Sequence, residues 1–163
     1  MWVLRQHGLV PGADLPSSHD QLDDAEESRG EVIVVVGAGD AAIENAMALA
    51  AQNEVVIINR IDEFARVKDG NLKLITKAIE TGRIGCFYRS NVAAVERGIA
   101  GERPYVLVLA TADGEARIAC DRIIARIGAT PPRRFVESCG IAFPGPDPMA
   151  LPTLSDRYES SVA

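Results

Sequence analysis

Two short stretches hold the residues best suited to chemistry. In VIVVVGAGDAA, residues 32–42, a β-branched run meets the spacing Gly37-x-Gly39-x-x-Ala42. The first glycine permits a sharp turn out of a strand. The second lets a phosphate approach the backbone where a Cβ would clash, and the alanine keeps a following helix close to the sheet. That helix would aim its unpaired N–H groups, and the positive end of its dipole, at the phosphate. Following a predicted strand and opening a predicted helix, the triplet reads as a pyrophosphate turn for a dinucleotide. The alternative is a tight turn that serves packing alone. Asp40 stands at the helix start and reads from its position as a capping residue.

The second stretch is IINRIDEFARVK, residues 57–68. The residue that meets the adenine ribose of a bound dinucleotide lies about 20 positions past the glycines, and an acid there bonds the 2′-hydroxyl. This chain has Asn59 instead, with Arg60, Arg66 and Lys68 beyond it. Guanidinium groups pair well with phosphate oxygens, so the loop suits the 2′-phosphate of NADP better than NAD. A basic surface loop balanced by Asp62, Glu63 and Asp69 is the other reading.

The elements that would carry these residues follow from periodicity. Val32–Val36 is an apolar run of strand length, as in a strand covered on both faces. Asp40–Gln52 is predicted helical, with Ile43, Met47 and Ala50 on one face and Asn53 as its stop. Val55–Ile58 is a second buried strand. A helix over Asn71–Thr81 and a strand over Ile84–Tyr88 come next. The rhythm then changes: Val92–Glu96, Tyr105–Thr111 and Glu115–Cys120 read as strands with no helices between them, and Asp113-Gly114 is a hairpin signal. Arg122–Ile127 is a last strand. The expected fold is α/β: a Rossmann-like, three-layer βαβ domain with a parallel sheet and an inserted antiparallel three-stranded β-meander.

Composition narrows the function classes. The 163 residues are 47% hydrophobic and 25% charged, with a formal net charge of −6. Binding a polyanion needs a basic face, so nucleic acid is not an expected partner. No apolar run spans a bilayer, and the start MWVLRQHG lacks signal-peptide features, so the expected setting is cytoplasmic with no membrane partner. Residues 14–27 carry six acids and no Lys or Arg, which reads as a solvated surface segment. Cys86, Cys120 and Cys139 form no CxxC. Cys86 and Cys120 read as small buried hydrophobes and Cys139 as a semi-buried cysteine at a helix end. His7 and His19 are the only histidines, so no histidine metal site is expected. An FAD-binding Rossmann unit is disfavoured by Asn59, and a methyltransferase has no use for the meander or the arginine loop.

The order GAGDAAIENA, NRIDEFAR, a β-meander and RIIARIGATPP resembles the NADPH-binding domain of the thioredoxin-reductase-like flavoproteins. These belong to the FAD-dependent pyridine nucleotide-disulfide oxidoreductase family. The likeness covers about residues 30–132. It implies that Gly37, Ala38, Gly39, Asp40, Ala41 and Ala42 form the pyrophosphate turn, and that Glu44 lies toward the nicotinamide. Asn59, Arg60 and Arg66 would meet the adenosine end, while Ile127, Gly128 and Pro131 match the closing stretch. The chain departs from the pattern in having Asn59 for a histidine, Ile61 and Ala65 for arginines, and no CxxC before the glycine turn. The resemblance further implies three segments: a linker over 1–30, an NAD(P)H-binding domain over 31–132, and a helix plus proline-rich tail over 133–163, with an FAD domain of the parent chain missing around them. The cofactor expected on this chain is NADP or NAD, with FAD bound only in the intact parent. The oxidoreductase would pass hydride from NADPH to flavin, whereas this chain alone would bind nucleotide without catalysis. The competing expectation is a non-catalytic nucleotide-sensing or protein-interaction module. Apolar surface left uncovered by the missing domain would favour a homodimer.

Overall fold

The computed structural model describes residues 18–19, 28–65, 67–99, 101–128, 133–147 and 150–162. Two compact units divide it, one ending at Gly128 and one running from Ala129. In the first, the described elements are strands β1 (Ser18–His19), β2 (Val32–Val36), β3 (Glu54–Ile58), β4 (Ile84–Phe87), β5 (Asn91–Arg97), β6 (Tyr105–Thr111), β7 (Gly114–Cys120) and β8 (Arg122–Ala125), with helices α1 (Asp40–Leu49) and α2 (Asp69–Glu80).

The apolar run of β2 is explained by what lies on its two faces. Ile33 and Val35 point to one side with Val55, Ile57, Ile84 and Ile124, and there they meet Ile43, Ala46 and Leu49 of α1 and Ile75 of α2. Val32, Val34 and Val36 point to the other side with Ile58 and Ile123, against Val95, Leu107, Leu109 and Cys120 of the meander. A strand buried on both faces has no solvated positions to alternate, hence its continuous hydrophobicity. Helices, parallel sheet and meander thus make the three layers expected from the sequence.

The parallel sheet runs β1-β8-β2-β3-β4, and the antiparallel sheet runs β5-β6-β7. Beside β2, the chain moves one way to β3 and β4 and returns on the other side as β8. In open α/β sheets, such a reversal of strand order at the carboxyl ends of neighbouring strands is where ligands bind. The opposite ends of these strands are fixed by ion pairs. Glu31 holds Arg122 through two hydrogen bonds of 3.0 and 3.2 Å. Asp121 accepts the Val32 N–H at 2.8 Å and pairs with Arg103.

Several boundaries differ from expectation by one to three residues. Helix α1 ends at Leu49 rather than Gln52, because the Asn53 amide donates to the Leu49 carbonyl at 3.1 Å and to that of Ser28 at 2.9 Å. Strand β8 stops at Ala125 rather than Ile127. In the β6–β7 hairpin, Thr111 pairs with Gly114, so Ala112-Asp113 forms the loop and Gly114 opens β7. The Thr111 hydroxyl secures that loop by donating to the Gly114 carbonyl at 2.8 Å and accepting the Asp113 N–H at 3.2 Å.

The second unit contains α3 (Arg133–Ser138), which has no buried residue. Arg133 organises it: Nε donates to Glu137 at 2.8 Å, the other nitrogens reach the Asp147 and Gly145 carbonyls, and the guanidinium lies 4.4 Å from the Phe143 ring centroid. Cys139 follows the helix and is exposed rather than semi-buried, since this short helix has no apolar layer to receive it.

Candidate functional site

Strands β2, β3 and β8 end together. The Gly37 N–H donates to the Ile58 carbonyl at 3.1 Å and the Arg126 N–H to the Val36 carbonyl at 2.7 Å. The two glycines of the turn then meet different surroundings. Gly37 has φ +130°, and a Cβ on it would lie 2.2 Å from the Arg126 carbonyl oxygen. Close contact with β8 therefore requires this glycine. A Cβ on Gly39 would meet no heavy atom within 4 Å, and its backbone is ordinary extended chain, φ −88° and ψ 177°. Nothing in the packing of the described residues demands a glycine there. Ala42 is fully buried against the sheet.

The backbone N–H groups of Gly39, Asp40 and Ala41 find no acceptor among the described residues, while Ala42 and Ile43 donate to the Gly39 carbonyl. Asp40 does not cap its own helix. Its Oδ1 accepts the Lys68 N–H at 3.1 Å and the Asn71 amide at 2.7 Å, reaching across to the start of α2. These two bonds, that from Asn71 foremost, hold its carboxyl below the ordinary value of 3.8. The same Asn71 amide donates to Glu44 Oε1 at 3.1 Å. Glu44 thus lies on the α2 flank of α1, engaged with a neighbouring helix. Asn45 lies on the other flank. With its amide oxygen turned toward Arg126, it accepts from Nε at 2.8 Å and from Nη2 at 3.1 Å.

A family model described as pyridine nucleotide-disulphide oxidoreductase matches residues 8–146. The chain belongs to this family. It is 27% identical over 141 residues to a ferredoxin–NADP reductase of Ignicoccus hospitalis, covering 83% of this chain and 43% of that protein. A ferredoxin–NADP reductase of Beijerinckia indica is likewise 27% identical over 139 residues, covering 85% of this chain and 38% of the other. The chain therefore spans less than half the length of these relatives. Among solved structures, the bacillithiol disulfide reductase of Staphylococcus aureus superposes with a TM-score of 0.75 at 23% identity, over 94% of this chain and 46% of that one. The thioredoxin reductase of Lactococcus lactis gives 0.65 at 22% identity, over 85% and 44%. At such identities the two structures support the fold.

In this chain the loop after β3 is tied down from its first residue. Asn59 is 2% exposed. Its Oδ1 accepts the Ile61 N–H at 3.1 Å, and its Nδ2 donates to the Glu63 carbonyl at 3.0 Å. An asparagine that bonds the backbone two residues on is a turn-builder, so the amide shapes the loop from within. Phe64 is buried and meets Tyr88 edge-to-face, with centroids 6.0 Å apart. Asp62 bonds Arg89 at 2.5 Å, a contact that lowers the Asp62 carboxyl below its ordinary value. Lys68 ends the loop at Asp40. Arg60 is exposed, with no ion pair or hydrogen bond to its guanidinium among the described residues. Arg66 and Pro131 lie outside the described residues. Ile127 packs on the meander side of the sheet and Gly128 is exposed.

Asn59→Ala leaves the Ile61 N–H and the Glu63 carbonyl without their partner. A loss of about 2 kcal/mol in stability is expected, read from the shift of a denaturant midpoint at unchanged slope.

Sequence reading missed Asn71, Asn45 and Arg89. Each meets the glycine-turn helix or the loop after β3 through a tertiary neighbour: Asn71 bonds Asp40 and Glu44, Asn45 faces Arg126 and Arg89 bonds Asp62. The cysteines offer no nucleophile in the first unit: burial pushes the Cys86 thiol up to about 11 and Cys120 up to about 12, so both stay protonated near neutrality. Among the described residues no cluster of His, Cys, Asp and Glu could hold a metal, and no helix is long and apolar enough to cross a membrane.

Proposed function

We propose that this chain binds a nicotinamide dinucleotide across the carboxyl ends of β2, β3 and β8, taking NADPH in preference to NADH, within a longer flavin-dependent oxidoreductase. The observation that carries this reading is Gly39. No packing demand among the described residues explains a glycine where a Cβ would meet only open space, and the N–H groups of Gly39, Asp40 and Ala41 find no acceptor among those residues. A pyrophosphate supplies both the need for close approach and the missing acceptors.

The residues fit the two halves of the cofactor. Gly39, Asp40 and Ala41 offer backbone donors to the diphosphate. Asp40 turns its carboxylate to α2, and so keeps a negative charge from capping the same helix end. Arg60 offers a guanidinium on the adenosine side, where it suits a 2′-phosphate. Nicotinamide and FAD, when bound in the parent, supply hydride transfer. The work of this chain is to hold the dinucleotide in register. The ferredoxin–NADP reductases it resembles support an NADP-linked role for the longer protein.

Calorimetric titration of the purified chain with NADPH and, separately, NADH tests the proposal. NADPH is expected to bind about tenfold more tightly, and Arg60→Ala to remove most of that advantage, a difference of ~1.4 kcal/mol. Equal affinities would sink the 2′-phosphate assignment while keeping the dinucleotide. Absence of binding by either coenzyme would sink the dinucleotide reading itself.

A further inference from the structure

The parallel pairing of β3 with β4 aligns Ile58 with Phe87, so the segments that follow these strands emerge side by side. They are stitched together. The Asn59 N–H donates to the Phe87 carbonyl at 2.9 Å, the Ser90 N–H to the Asn59 carbonyl at 3.0 Å, and the Arg89 N–H to the Ile61 carbonyl at 3.3 Å. Ser90 is 1% exposed, and its hydroxyl donates to the Tyr88 carbonyl at 2.7 Å. Arg89 thereby stands against the loop that carries Arg60, although 29 positions separate them in sequence. Its backbone has φ +47°, the left-handed region that few non-glycine residues occupy, and this conformation is braced by bonds on both sides.

We infer that Arg89 is a second guanidinium for the 2′-phosphate of NADPH, and that Asp62 holds its place when that phosphate is absent. The inference rests on the dinucleotide reading above and deepens it by naming what distinguishes the two coenzymes. The Asp62 carboxylate meets the Arg89 guanidinium at 2.5 Å, with the two side chains 60% and 64% exposed. Ion pairs so exposed contribute little to stability, so exchanging the carboxylate for a doubly charged phosphate has a low cost. A phosphate set between Arg60 and Arg89 gains two charge-assisted partners, whereas Asp62, two residues past Arg60, repels it. A 2′-hydroxyl carries no charge, so NADH leaves the pair intact.

The opposing roles give opposite signs on mutation. In titrations with NADPH and NADH, Arg89→Ala is expected to weaken NADPH about tenfold and leave NADH unchanged. Asp62→Asn, which removes the repelling charge and releases the arginine, is expected to tighten NADPH about threefold with NADH again unchanged. Arg89→Lys, which keeps the charge without the fork, should fall between wild type and Arg89→Ala. Two results overturn the inference while leaving the dinucleotide reading standing. In one, NADPH affinity is unaffected by Arg89→Ala. In the other, Asp62→Asn and Arg89→Ala weaken both coenzymes alike, as a simple brace of the loop would. Wild type that binds neither coenzyme fails at the earlier step, and the inference falls with it.

Discussion

Replacing Gly37 with alanine is expected to cost about 3 kcal/mol or more of folding stability, enough to lower the melting temperature by roughly 10 °C. Two costs combine. A residue with a Cβ is strained at φ +130°, and the Cβ itself would lie 2.2 Å from the carbonyl oxygen of Arg126. That oxygen belongs to Arg126, just past β8, whose own N–H is already bonded to the Val36 carbonyl, so it has little freedom to retreat. Dinucleotide affinity would fall with the fold. Thermal or denaturant unfolding of the variant checks this, and a loss below about 1 kcal/mol would mean that β8 yields more readily than its packing suggests.

Gly39→Val should do the reverse. Its dihedrals suit any L-residue and its Cβ meets nothing within 4 Å, so stability should change by no more than about 1 kcal/mol, mostly from a poorer helix cap. The branched side chain fills the space through which the proposed diphosphate approaches the three N–H groups that find no acceptor among the described residues. NADPH affinity is expected to drop about 100-fold, equivalent to ~2.7 kcal/mol of lost binding. Taken together, the two variants separate the glycine that closes the fold from the glycine that admits a ligand. Unchanged affinity in the folded Gly39→Val protein would assign the whole turn to packing.

Much of this architecture was legible because burial writes itself into local pattern. Val32–Val36 and Tyr105–Thr111 have the bounds expected of them, since covered strands are marked by β-branched and apolar runs that end at turn residues. The three-layer arrangement followed from strands that alternate with helices and then cease to do so. Helix α1 was overrun by three residues, because the bond that ends it comes from a side chain reaching back from Asn53. The hairpin turn was displaced by one residue for a similar reason, with the Thr111 hydroxyl securing Ala112-Asp113 as the loop.

The site was legible in part. The glycine spacing pointed to the turn but could not say which glycine serves packing, as that depends on how near β8 comes. Asn59 stands where a ribose contact was expected, yet its amide is spent on its own loop. Asp40 was read as a cap of its own helix, but its carboxylate reaches the neighbouring one: it receives the N–H of Lys68, just before α2, and the Asn71 amide. Arg89 lay beyond reach of motif reading altogether. Only the order of strands in the sheet brings it to the arginine loop.

The most direct test of the central claim is an amide NMR titration of the isotopically labelled chain with NADPH. The account predicts that the N–H signals of Gly39, Asp40 and Ala41 move most, as donors that gain a phosphate acceptor, with further shifts at Arg60 and Arg89. Saturable binding that leaves those three amides in place, or no binding at all, would contradict it.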